Sequence, residues 1–132
     1  MHRKIPGARE IQAEDHKTFT IGFTGRRKMK GNLVAELIHS KKVKYATFHL
    51  TEVLRGKHKG QYIIHATSAG KNMVLDIVGH KHTTKQFVDA EKFTGADRQY
   101  WRLEGTTEET TIASYDGKWC LTRFEEMTNV IH

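Results

Sequence analysis

Three groups of side chains have types and spacing that suit chemistry. His80-Lys81-His82 sets two imidazoles two residues apart, and with His65 nearby in sequence they make the beginnings of a divalent-metal site. No fixed further ligand accompanies them, so the expectation is that the chain holds no metal and no cofactor. The second group is basic. Arg26-Arg27-Lys28-Met29-Lys30 lies between two turn glycines, Lys41, Lys42 and Lys44 follow, and Arg55-Gly56-Lys57-His58-Lys59-Gly60 reads as an exposed loop. If these clusters converge on one face they would bind sulfate or phosphate by charge, with an affinity that falls steeply with salt. Aromatic interleaving of the kind that stacks single-stranded bases is thin, because only Tyr45 and Phe48 lie nearby.

The third group would serve catalysis, and it is poor. Cys120 sits in an apolar strand pattern and reads as a small core residue, and neither a Gly-x-Ser-x-Gly elbow nor a phosphate loop occurs. Glu108-Glu109 and Glu125-Glu126 are adjacent pairs, whose side chains on strands point to opposite faces. The chain is therefore read as a binding protein and not an enzyme.

What must position these groups is one domain of 132 residues, close to the commonest domain size. Hydrophobic residues make up 37% and charged residues 28%, with a mean hydropathy of −0.63, a polar but foldable composition. No apolar run is long enough for a transmembrane helix, and no apolar segment follows the basic start, so membrane insertion and a secretory signal are not expected. A single cysteine excludes an intrachain disulfide, and no Asn-x-Ser/Thr acceptor occurs. Both suit a cytoplasmic protein, or one released without a signal peptide. The formal charge is +7, unevenly placed: residues 1–60 carry fourteen Lys/Arg against five Asp/Glu, and residues 61–132 carry eight against ten. Polyanion partners remain open on that ground.

Periodicity favours strands. Residues 18–23, 44–50 and 99–103 alternate apolar with polar and are rich in aromatic and β-branched types, and short apolar runs at 62–66, 73–78 and 119–122 read as further strands. Turn clusters at 24–25, 30–32, 68–71, 94–97 and 115–118 separate them, so an all-β barrel or sandwich is expected. Residues 32–40 suit a strand or a two-turn helix equally.

The pattern also repeats. Residues 62–76 and 111–122 share a strand, a Gly-Lys turn and a second strand, with Leu75 and Leu121 aligned 46 residues apart. A weaker copy at 31–36 aligns Asn32 with Asn72 and Glu36 with Asp76. Residues 46–52 and 99–104 share an aromatic, a leucine two places on, and then an acid. Repeats of forty-odd residues built from short strands predict a β-trefoil of three degenerate repeats, with another closed β-barrel, lipocalin or fatty-acid-binding-like, as the alternative. The first repeat is short: Glu36 and Phe48 are 12 apart where Asp76 and Trp101 are 25 apart. Only ten residues follow Thr122, too few for a final strand pair. Either residues 1–17, otherwise an N-terminal extension, contribute to closure, or the barrel is incomplete, permuted or completed by another chain.

Val74-Leu75-Asp76-Ile77-Val78-Gly79 and Arg98-Gln99-Tyr100-Trp101 resemble the Leu-Asp-x-x-Gly and Asn-Gln-x-Trp segments of ricin-B-type lectins, especially their cysteine-poor fungal members. The resemblance covers roughly residues 44 to 123 and implies a sugar site. Asp76 would accept two vicinal hydroxyl hydrogen bonds, Gln99 and Trp101 would match the signature pair, and Arg98 stands where the family has Asn. The aromatic that stacks on the sugar would be Phe87, one place from the favoured position. Gly79, His80 and Gln86 would lie on the adjoining loop. Arg98 also suits the carboxylate of an acidic sugar. The expected partners are therefore glycans or glycoproteins, with a homodimer allowed. Two alternatives follow: a protease inhibitor on the same trefoil, or a heparin- or nucleic-acid-binding module using Arg26, Arg27, Lys28, Lys30, Arg55, Lys57 and Lys59.

Overall fold

The computed structural model describes residues 1–13, 16–23, 28–29, 32–33, 35–39, 47–77, 86–106, 109–123 and 129–131. Alternating apolar and polar residues punctuated by Gly, Asn and Asp leave little room for helix, and these residues form strands joined by tight turns. In chain order the strands are β1 (His2–Arg9), β2 (Gln12–Ala13), β3 (His16–Gly22), β4 (Lys28–Met29), β5 (Asn32–Leu33), β6 (Glu36–His39) and β7 (Phe48–Val53). They continue with β8 (Tyr62–His65), β9 (Met73–Ile77), β10 (Gln86–Lys92), β11 (Trp101–Gly105), β12 (Thr110–Ser114), β13 (Leu121–Arg123) and β14 (Asn129–Ile131). Short 3₁₀ turns occupy Thr67–Ala69 and Asp97–Gln99. Among the described residues no helix is long and apolar enough to cross a membrane.

Within the ambiguous segment 32–40, the described residues form strands at 32–33 and 36–39 and no helix. β6 pairs antiparallel with β3, from Gly22↔Glu36 to Phe19↔His39, and the Ala35 amide donates to the Val88 carbonyl at 2.8 Å. Cross-chain hydrogen bonds decide between the two conformations where local periodicity cannot. The expected strand at 99–103 begins later, at Trp101, because Gln99 belongs to the 3₁₀ turn.

The repeated aromatic-x-leucine pattern has a structural counterpart. β7 pairs with β8 through Leu50↔Ile64, and β11 pairs with β12 through Leu103↔Ile112, so both hairpins begin on a buried aromatic, Phe48 or Trp101. The largest sheet runs β1-β7-β8-β9-β10-β14-β13, with β11 joining β8 at Trp101↔Tyr62, and among the described residues it does not close on itself. β1, from the segment read as an extension, adds to the free side of β7 with Ile5 opposite Leu50, and Arg3 pairs with Glu52 across it.

Trp101 fills the centre. Its indole Nε1 donates to the Leu75 carbonyl at 3.1 Å, and it packs with Phe48, Ile64, Leu75, Ile77, Val88 and Ala90. A smaller cluster of Val53, Ile63, Val74 and Tyr100 is separate from it. The alternation of β9 sends Leu75 and Ile77 to the first cluster and Val74 to the second, so both faces of this strand are covered. Cys120, expected in the core, is only half-buried, since it joins β12 by a single bridge to Ala113.

Candidate functional site

The chemistry gathers on one face of the β9–β10 hairpin. The register sets Asp76 directly opposite Asp89, and the period-two alternation of β10 places Phe87, Asp89 and Glu91 on one face. The 3₁₀ turn Asp97–Gln99 packs against β9 and brings Arg98 and Gln99 to Asp76.

Gln99 is the clamp. Its Nε2 donates to Asp76 Oδ2 at 3.0 Å and to the Lys92 carbonyl at 2.8 Å. Its Oε1 accepts from the backbone amides of Thr94 and Gly95, at 2.8 and 3.1 Å, and from the Thr94 hydroxyl. Gly95 makes this loop with φ +82°, a conformation that a side chain would strain. Every polar atom of the Gln99 amide is thus spent inside the protein.

Asp76 and Asp89 are 0% and 1% exposed. Arg98 Nε lies 3.1 Å from Asp76 Oδ1 as an ionic contact, without the alignment of a hydrogen bond. Burial raises the Asp76 carboxyl to about 7; the Glu91 charge adds to the rise, and Gln99 and Arg98 oppose it. Burial likewise raises Asp89 to about 8, and Glu91 and Asp76 push in the same direction. Oxygens of Asp76, Asp89 and Glu91 lie within 4.8 Å of one another.

These placements change the sequence reading. Asp76, Arg98 and Gln99 do come together, but Gln99 is buried and structural, and the Asp76 carboxylate faces protein groups rather than solvent. Phe87 is half-buried, two residues from Asp89 on the same face, and the residue opposite Asp76 is Asp89 rather than an aromatic. Gln86 starts β10 opposite Ile131, while Gly79 and His80 lie outside the described residues. Asp89 and Glu91 escaped the sequence reading. Their signal was two acids at alternate positions in an otherwise apolar strand, Val88-Asp89-Ala90-Glu91.

Of the basic residues, Lys28 is described as part of β4, and Arg26, Arg27 and Lys30 lie outside the described residues. Arg55, Lys57 and Lys59 are exposed on the β7–β8 loop. That loop is pinned. Lys57 Nζ bonds Asp97 Oδ2 at 2.9 Å, while His58 contacts Asp97 Oδ1 through Nε2 and Gln61 Oε1 through Nδ1, each at 2.8 Å. The His58 ring stacks on Tyr100 with centroids 3.9 Å apart. Lys57 is therefore already matched by a carboxylate: its pKa is raised and that of Asp97 is lowered, each chiefly by this hydrogen bond. Away from the hairpin, a recess of 560 Å³ between β1 and the β11–β12 hairpin is lined by Ile5, Leu50, Ile64, Leu103 and Ile112.

No family model matches the chain, nor does any curated protein sequence. Solved structures do. The chain in the PSL1a-E64 complex superposes with a TM-score of 0.72 at 14% identity, over 94% of this chain and 42% of that one. A designed 3-fold symmetric protein, ThreeFoil, gives 0.73 at 16% identity, over 95% of this chain and 87% of that one. The likeness is one of fold, and the fold is the β-trefoil that the repeats predict. This chain spans 42% of the length of the PSL1a chain.

Proposed function

We propose that this chain is a non-catalytic carbohydrate-binding module that engages a glycan at the mouth of the β9–β10 hairpin. The observation that carries the reading is the convergence of Asp76 on a strand with Arg98 and Gln99 on a turn: Gln99 hydrogen-bonds Asp76, and Arg98 meets it as an ion pair. These are the positions that the ricin-B resemblance assigns to sugar binding. The β-trefoil fold supports the same reading.

The contact roles differ from those of that family. Arg98, with 23% of its side chain exposed, and the half-buried Glu91 are the polar groups a ligand reaches. The guanidinium donates to sugar hydroxyls and the carboxylate accepts from them, while Asp76, itself held by Gln99, meets the guanidinium from within the protein. The Arg98 guanidinium is already faced by the Asp76 carboxyl, which favours a neutral, galactose-type sugar over a sialic or uronic acid. A glycan array, followed by calorimetry with the best ligand, tests this. Arg98→Ala is expected to abolish binding while leaving the fold intact, and an array with no signal above background at low salt overturns the reading.

The basic loop is the weaker surface. Arg55 and Lys59 are exposed, but Lys57 is committed to Asp97. Heparin retention that survives Arg55→Ala and Lys59→Ala would remove that loop as its source.

A further inference from the structure

We propose that Asp76, Asp89 and Glu91 form a binding site for a divalent cation, calcium in the first instance. Three observations carry it. One carboxylate oxygen from each residue lies within 4.8 Å of the other two. Asp76 and Asp89 are 0% and 1% exposed, so water does not solvate their charge. Oδ1 of Asp89 has no hydrogen-bond partner, and Oδ1 of Asp76 has only the misaligned ionic contact with Arg98.

Buried carboxylate oxygens left without a hydrogen bond favour a positive charge beside them. When all three are ionised, Arg98 supplies one positive charge against three negative ones, and a dication would make good the difference. The donor set is oxygen only, which selects the hard cations over zinc or copper. Among these calcium fits best, because it accepts irregular carboxylate ligation, whereas magnesium demands near-ideal octahedral geometry and keeps several of its waters. Glu91, half-buried at the edge of the cluster, is the open side through which an ion and its remaining waters would enter.

The hairpin supplies the geometry without any loop. Asp76 and Asp89 are cross-strand partners and Glu91 follows Asp89 by two residues, so the register alone sets three acids side by side. That arrangement repels itself when ionised without a counter-charge, yet Asp76 lies on a strand covered on both faces. This inference does not depend on glycan binding.

The test uses calcium chloride alone, with chelator-treated protein. Calorimetry is expected to show one ion per chain. Terbium should give luminescence sensitised by Trp101, whose indole is bonded to the carbonyl next to Asp76. Asp89→Asn removes a ligand and also relieves repulsion, so it should fold and yet bind calcium at least about tenfold more weakly. Circular dichroism confirms the fold of that variant. No heat and no rise in melting temperature at about 10 mM calcium, above the weakest range of natural calcium modules, overturns the proposal. Unchanged affinity in a folded Asp89→Asn protein overturns it equally. Neither result bears on the glycan array.

Discussion

The Gln99 amide spans two strands and a loop: it donates to Asp76 Oδ2 on β9 and to the Lys92 carbonyl at the end of β10, and its oxygen gathers the Thr94 and Gly95 amides. A side chain that satisfies this many buried groups cannot be shortened without orphaning them. Its neighbour in sequence, Arg98, is the one that reaches outward.

Gln99→Ala should therefore be among the most destabilising single changes in the protein. Losing one buried partner costs about 1–3 kcal/mol, and here several are lost together, so a loss of about 3 kcal/mol or more is expected from urea denaturation. Gln99→Glu should be no better, because it replaces the Asp76 donor with a further carboxylate. A loss below about 1 kcal/mol for Gln99→Ala would contradict the clamp.

Trp101→Ala opens a cavity at the centre of the main cluster and frees the Leu75 carbonyl, with an expected cost of about 3–5 kcal/mol. Trp101→Phe keeps most of the apolar volume but cannot donate. It should fall between the two, and the difference from wild type contains the price of that carbonyl.

His58 is expected to matter through packing more than charge. It stacks on Tyr100, meets Tyr115 edge-on at 6.0 Å, and is 8% exposed. His58→Ala should lose about 2 kcal/mol, while His58→Phe, which keeps the ring but not the bonds to Gln61 and Asp97, should lose less. Lys57→Ala should leave stability nearly unchanged, since its ion pair is on the surface. Thermal melts of the three variants check the order.

His65 makes a specific contribution to the pH dependence. Burial lowers its pKa from 6.5, and nearby His49, Lys4 and His2 push it the same way, while its Nε2 meets the Thr51 hydroxyl at 2.7 Å. The unfolded chain then takes up this proton before the folded one does. Stability from His65 is full above pH 6.5 and is lost as pH falls from there towards the folded-state value. Wild type should accordingly lose more stability than His65→Gln between about pH 7 and pH 5, measured by urea midpoints. Parallel curves for the two proteins would show that His65 is not responsible.

By itself the sequence determined the class of the fold and its repeat. Alternation marked β3, short apolar runs marked β8 and β9, and the aromatic-x-leucine spacing marked the paired hairpins around Phe48 and Trp101, where side-chain direction follows the local period of two. It also drew attention to Asp76, Arg98 and Gln99 through their likeness to a known pair of segments.

Tertiary structure decided the rest. Whether residues 32–40 are strand or helix depended on partners in β3 and β10 that lie far away in sequence. The identity of the residue facing Asp76 depended on the register of β9 with β10, since a shift by one residue would have turned Asp89 and Glu91 to the opposite face. Burial separated the two neighbours in Arg98-Gln99: the turn Asp97–Gln99 sends the amide into the sheet and leaves the guanidinium at the surface. Residue type is a local property, but solvation and the charge a residue faces belong to the assembled fold.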